Sequence, residues 1–187
     1  MRIKYNAPTV LSFSLFCVLV LLLSKMLIPN LIEYWFTVPG RGNFHAGSFR
    51  NWVTILTHVA GHANWSHLIN NLTLILLIGP MLEEAYGSST LFVMMIITAF
   101  VTGVLNVLFF SSYLLGASGI VFMMILLSSF TNFTHGEIPL TFIFILVLYL
   151  GVQLINSFDS DNISHFAHIV GGLCGSIFGF LRPPRRK

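Results

Sequence analysis

Positions 10 to 23 are apolar apart from Ser12 and Ser14, and the run predicts a first helix from about Thr9 to Ile28, ended by Pro29. From Asn30 to about Asn51 the pattern turns mixed, with Glu33, Pro39-Gly40-Arg41-Gly42 and Arg50 set among Tyr34, Trp35, Phe36, Phe44 and Phe49. That blend suits a membrane interface and predicts a long, partly embedded external loop. The stretch Trp52 to Asn71 carries His58, His62, Asn64, His67, Asn70 and Asn71, too polar a set to face lipid. Asn64 or Ser66 would cap a second helix running from Leu68 to Met81, closed by Pro80 and Glu83-Glu84-Ala85-Tyr86-Gly87. A third helix covers about Thr90 to Phe110, and Ser111-Ser112-Tyr113 is a brief turn. Gly116-Ala117-Ser118-Gly119 then breaks the pattern ahead of the apolar run Ile120 to Leu127. The fourth helix, counted from Ala117 to Thr131, has only about 15 residues, short of the usual span, so it starts below the membrane surface. Asn132 to Glu137 forms a turn, Pro139 opens a fifth helix to about Ile155, and residues 156 to 162 form a loop. A sixth helix runs from about Ile163 to Leu181 and stops at Pro183-Pro184.

Composition fixes the class. Of 187 residues, 56% are hydrophobic and 8% charged, against about 25% charged in soluble domains. The mean hydropathy is +0.87, so the chain must use lipid as solvent. The expected fold is all-α: a polytopic membrane bundle of six transmembrane helices, one domain over residues 1–187 with short basic tails at about 1–8 and 182–187. The net charge of +3 is concentrated at the ends, in Arg2, Lys4, Arg182, Arg185, Arg186 and Lys187. Positive ends place both termini in the cytoplasm and, without a basic stripe, give no sign of nucleic-acid binding. Residues 1 to about 28 resemble a signal peptide in their basic start and apolar core, but no small-x-small cleavage pattern follows before Pro29. Cys17 and Cys174 lie in apolar runs and read as buried small hydrophobes.

Six crossings with both ends inside put the starts of the second, fourth and sixth helices on one external side. His62, His67, Asn71, Ser118 and His168 all lie at those starts. Taken alone, a Gly/Ser cluster in a membrane helix is more often a packing device, and a lone histidine more often bonds a backbone carbonyl. Together they permit chemistry. Imidazole is the usual base for a serine hydroxyl, because its pKa of about 6.5 lies near working pH. Glycines 116 and 119 allow close backbone approach, and the free N–H groups of a helix start can face a developing oxyanion. His67 and Asn71 stand four residues apart on one helix face, and both can donate a hydrogen bond. The Gly171/Gly175 pair, one turn apart, would let the sixth helix approach the fourth. Asp159 and Asp161 belong to the loop before the sixth helix. A charge at the membrane centre costs about 2.5 to 3.5 kcal/mol, so a serine-histidine dyad without an acid fits the setting.

His62-x4-His67-x3-Asn71, Gly116-x-Ser118-Gly119 and Ala167-His168-x2-Gly171-x3-Gly175 resemble the three signatures of rhomboid intramembrane serine proteases, in order and spacing over nearly the whole chain. The resemblance implies Ser118 as nucleophile, His168 as general base, and His67 with Asn71 at the oxyanion hole. It implies that His62 and Gly116 support that pocket and that Phe122, one turn after the serine, packs beside the base. Leu82-Glu83 with Gly87 is similar to the family's acidic end of the second helix, a structural feature. The family often has an adjacent Trp-Arg pair in its first external loop; here Arg50-Asn51-Trp52 reverses and separates them. The resemblance further implies a minimal bacterial form in the inner membrane, acting on single-pass transmembrane proteins, with no cofactor and no metal.

Two other classes remain open at this level. His58, His62 and His67, with His165 near His168, could serve a metal-dependent membrane protein, His58 and His62 sharing a zinc at helical spacing; no HExxH pattern accompanies them. A non-catalytic rhomboid-like protein that holds transmembrane helices is the other, and such proteins typically lack the serine or the base that this chain keeps.

Overall fold

The computed structural model describes residues 4–131, 138–150 and 162–185, and its described elements are helical. α1 is Pro8–Met26, α2 the short Leu31–Trp35 and α3 Phe49–Thr57, followed by a 3-10 turn at His58–Ala60. α4 is Trp65–Tyr86, α5 Ser88–Phe109 and α6 Ser118–Ser128. α7 is Leu140–Ile145, running into a π-helical segment at Leu146–Leu150, and α8 is Asn162–Leu181. Among the described residues α1, α4 and α5 are long and apolar enough to cross a membrane by length and composition. The turn at 132–137, the loop ahead of the sixth helix with Asp159 and Asp161, and the side chain of His165 lie outside the described part.

Several boundaries differ from the sequence reading for local reasons. Asn64 rather than Ser66 caps α4: its side-chain oxygen accepts from the His67 N–H at 2.9 Å. Pro80 does not close that helix, which continues to Tyr86. A proline inside a helix removes one hydrogen bond, from the carbonyl four residues back, and the residue there, Leu76, lies on the exposed side. The polar stretch from Trp52 is not the start of one helix. It holds α3 and the 3-10 turn, and then Gly61 in an extended conformation redirects the chain into α4.

Buried polar contacts tie the bundle where apolar packing alone gives little direction in lipid. Both Glu83 carboxylate oxygens accept from the first free N–H groups of α1, Thr9 at 2.9 Å and Val10 at 3.0 Å, so α4 caps α1 across the bundle. Thr9 also donates its hydroxyl to the Ser88 carbonyl. At the other end the first loop is clamped to the turn before α6: Val38 and Leu114 exchange both backbone bonds, at 2.9 and 3.0 Å, and Arg41 N–H donates to Phe110. The separated Arg50 and Trp52 each find a place. The Arg50 guanidinium lies 4.2 Å from the Tyr34 ring centroid, and Trp52 donates to the Ala46 carbonyl while packing edge-on to Phe44.

Candidate active site

α6 and α8 meet backbone to backbone, because small residues lie at their contact. A Cβ at Gly171 would fall against the Gly119 carbonyl, and one at Gly175 against the Met123 carbonyl, so the two backbones touch at successive turns. Gly119 itself faces the Ala167 carbonyl and the Thr102 methyl, which a Cβ would meet at 3.5 and 3.2 Å. Ser118 and His168 flank this contact, one residue before Gly119 and one after Ala167. Phe122, one turn beyond Ser118, lies flat on the His168 imidazole, with centroids 4.2 Å apart and planes at 13°. Ser118 and His168 therefore share one side of the α6–α8 contact. Ser118 is the first residue of α6 and half-buried.

The turn before Ser118 is shaped by Gly116, whose φ of +118° is one that other residues rarely adopt. A Cβ at that position would lie 2.7 Å from the His67 ring atoms Cε1 and Nε2 and 3.9 Å from Asn71 Nδ2. Gly116, His67 and Asn71 are thus brought together. The Gly116 N–H donates to the His58 carbonyl at 3.0 Å, anchoring the turn to the 3-10 segment. Asn71 is buried, and its Nδ2 finds no acceptor among the described residues. A buried amide with an idle donor costs about 1–3 kcal/mol unless something meets it.

His62 is fully buried beside His67, with ring centroids 5.0 Å apart in an edge arrangement. Its Nδ1 lies 3.3 Å from the Ala60 carbonyl, so it carries the proton and donates, leaving Nε2 as a buried acceptor without a partner among the described residues. Burial, with His67 as the second cause, pushes the His62 pKa down to about 4. His58 is likewise pushed down to about 4 by burial, and its two ring nitrogens face the Ile55 carbonyl at 3.0 Å and the Thr102 hydroxyl at 3.3 Å. The idea that His58 and His62 share a zinc at helical spacing does not fit these positions. The backbone between them is not one helix, and both His58 nitrogens are engaged.

Two polar residues that the sequence reading passed over also border the site. Thr102 sits under Gly119 and contacts His58. Asn106 is fully buried on the same α5 face and donates to the Ser112 carbonyl at 3.1 Å, holding the turn that leads to Gly116. A threonine in an apolar helix carries no signal of its own, but an asparagine in the third hydrophobic run was a readable one.

Comparison with known proteins identifies the family. The family model of the Rhomboid domain matches residues 50–185, which hold every site residue named above. The chain is 23% identical to the rhomboid protease GlpG of Haemophilus influenzae over 91% of this chain and 88% of that protein. It is 30% identical to the rhomboid protease GlpG of Serratia proteamaculans over 62% of this chain and 40% of that one. It is also 26% identical to the chloroplastic rhomboid-like protein 11 of Arabidopsis thaliana, over 80% of this chain and 51% of that protein. With the family matched over most of its length and its long apolar helices set side by side, this chain is an integral membrane protein that belongs to the rhomboid family.

Proposed function

We propose that this chain is an intramembrane serine endopeptidase, hydrolysing a peptide bond in or near the transmembrane segment of single-pass membrane proteins. Its relatives are named as rhomboid proteases. The observation that carries the reading is the α6–α8 contact, with Ser118 one turn from the ring on which His168 stacks and Gly116, His67 and Asn71 gathered beside the same turn.

The Ser118 oxygen attacks the carbonyl carbon of the scissile bond while its proton passes to His168. Charge moves to the carbonyl oxygen, where Asn71 Nδ2, His67 and the Ser118 N–H supply donors. Asn71 suits this task because its Nδ2 has no acceptor among the described residues. Collapse of the intermediate breaks the C–N bond, and His168 returns its proton to the leaving amine. Water then attacks the acyl ester with His168 again taking a proton, and the serine hydroxyl is restored. Phe122 holds the imidazole plane, and His62 supports His67 from behind. Two residues without a carboxylate suffice because a dyad avoids burying a further charge.

The substrate helix must open near the external face, since a peptide bond in a regular helix is shielded by its own hydrogen bonds; helix-weakening Gly or Pro and a small residue before the cut favour this. The chain forms one rhomboid-like domain over 1–187 with six crossings, made by α1, α4, α5, α6, the α7 segment and α8. Its Lys4, Arg182 and Arg185 ends lie on the cytoplasmic side of a bacterial inner membrane. A serine-directed fluorophosphonate tests the chemistry: it labels Ser118 and fails on Ser118→Ala. Folded protein that is not labelled at Ser118 would overturn the proposal.

A further inference from the structure

We propose that the groove between α1 and α5 binds one anionic glycerophospholipid, an acyl chain lying along Phe13, Phe16 and Phe92 and the phosphate meeting Lys4 and Arg185. The groove encloses about 470 Å³ and is graded along its length. Thr9, Ser12 and Ser88 line it at the end where the two helices begin, while the three phenylalanines line it further in. A hydroxyl rim over an aromatic trough matches a molecule with a polar head and an apolar tail, and a groove on the outside of a membrane protein faces such molecules.

Charge selects the head. The helix ends at this rim are held together by Glu83 on α1, by Thr9 on Ser88, and by the Arg185 N–H on the Ala85 carbonyl. The Arg185 guanidinium packs over Gly87, whose neighbour Ser88 lines the groove. The Tyr5 hydroxyl is bonded to Ser12 at 3.0 Å, which pins the segment carrying Lys4 beside the rim. Three exposed cations, Lys4, Arg182 and Arg185, stand at this end among the described residues. Of the two carboxylates there, Glu83 is buried with both oxygens bound to the α1 backbone, and Glu84 alone is exposed. The field at the rim is therefore attractive to a phosphate, by roughly five-fold in affinity per basic residue near a membrane surface.

The test is native mass spectrometry of the full chain released from detergent with phosphatidylglycerol or phosphatidylcholine of identical acyl chains. One phosphatidylglycerol should stay bound under activation that strips phosphatidylcholine. Lys4→Gln with Arg185→Gln should abolish the preference, and Ser12→Phe, which fills the trough from an exposed position, should abolish retention of phosphatidylglycerol. Equal retention of the two lipids by the wild-type chain overturns the proposal. So does retention unchanged in Ser12→Phe, or a dimer of this chain occupying the face in place of lipid. Should Ser12→Phe fail to fold, Lys4→Gln alone decides: it changes one exposed residue ahead of α1, and an unaltered preference sinks the idea.

Discussion

Replacing Gly171 by alanine tests the proposed site without touching either reacting group. The added Cβ would lie 2.9 Å from the Gly119 Cα and 2.8 Å from its carbonyl carbon, with the oxygen nearer still. Ordinary contact begins at 3.4 Å, so clearing the Cα alone requires 0.5 Å (3.4 − 2.9), and the oxygen requires more. What stands in the way is backbone, which has no rotamer to change, so α8 must slide or tilt away from α6. Overpacking of this kind costs about 1–3 kcal/mol, against which alanine regains up to about 1 kcal/mol of helix propensity. The larger effect falls on geometry. Ser118 and His168 adjoin this contact on the same side, one carried by each helix, and a displacement of about 1 Å between reacting groups lowers the rate on the order of 100-fold. Initial rates on a reporter transmembrane substrate should show that loss in kcat, with thermal unfolding measured alongside. Gly47→Ala, where a Cβ meets nothing within 4 Å, serves as the neutral control. A Gly171→Ala protein with wild-type kcat would show that the close approach of α6 and α8 does not align the dyad.

Ser118→Ala and His168→Ala should each abolish cleavage in the same assay, while Asn71→Ala should reduce kcat by about 100-fold or less because several donors share the oxyanion. Glu83→Ala leaves the Thr9 and Val10 N–H groups without their acceptors, at a cost of about 1–3 kcal/mol, read as a lower Tm. Stability should also fall on acidification. His58 and His62 have pKa values near 4 in the fold against the ordinary 6.5, so between those values the unfolded chain binds more protons and stability rises with pH. Their contribution is complete above 6.5 and is lost as pH falls towards 4; a Tm flat across that window would refute the burial of these rings.

The long apolar helices were legible because lipid imposes the same demand on every residue of a span: the observed α1 and α5 begin and end within a few residues of the runs that announced them, while α4 extends past the predicted Met81 to Tyr86. The short α6 was legible for the opposite reason, as an apolar run shorter than a full span. What could not be read were contacts between segments distant in sequence. Pro80 looked like a stop, yet helix ends are decided by what the next turn packs against, and there Glu83 holds α1. Thr102 lies in an apolar run that gives it no distinction, and its place under Gly119 is a contact between helices. The candidate site residues were proposed from topology, which places helix starts at one depth, whereas the His58 carbonyl under Gly116 is a backbone contact that no side-chain pattern encodes.

In lipid, burying apolar surface gains little, so helices associate through close packing of small residues and through hydrogen bonds. This chain uses the two devices at different places. Glu83 binds α1 to α4 far along α4 from Asn71, while the Gly119–Gly171 and Met123–Gly175 contacts bind α6 to α8 next to Ser118 and His168. If the second device both stabilises and aligns, loss of stability and loss of rate must go together at Gly171 and separate at Glu83. At Gly171 a small loss in Tm should accompany a large loss in kcat. At Glu83 the larger loss in Tm should leave the kcat of the folded fraction unchanged, since neither Gly116 nor His168 depends on the cap of α1.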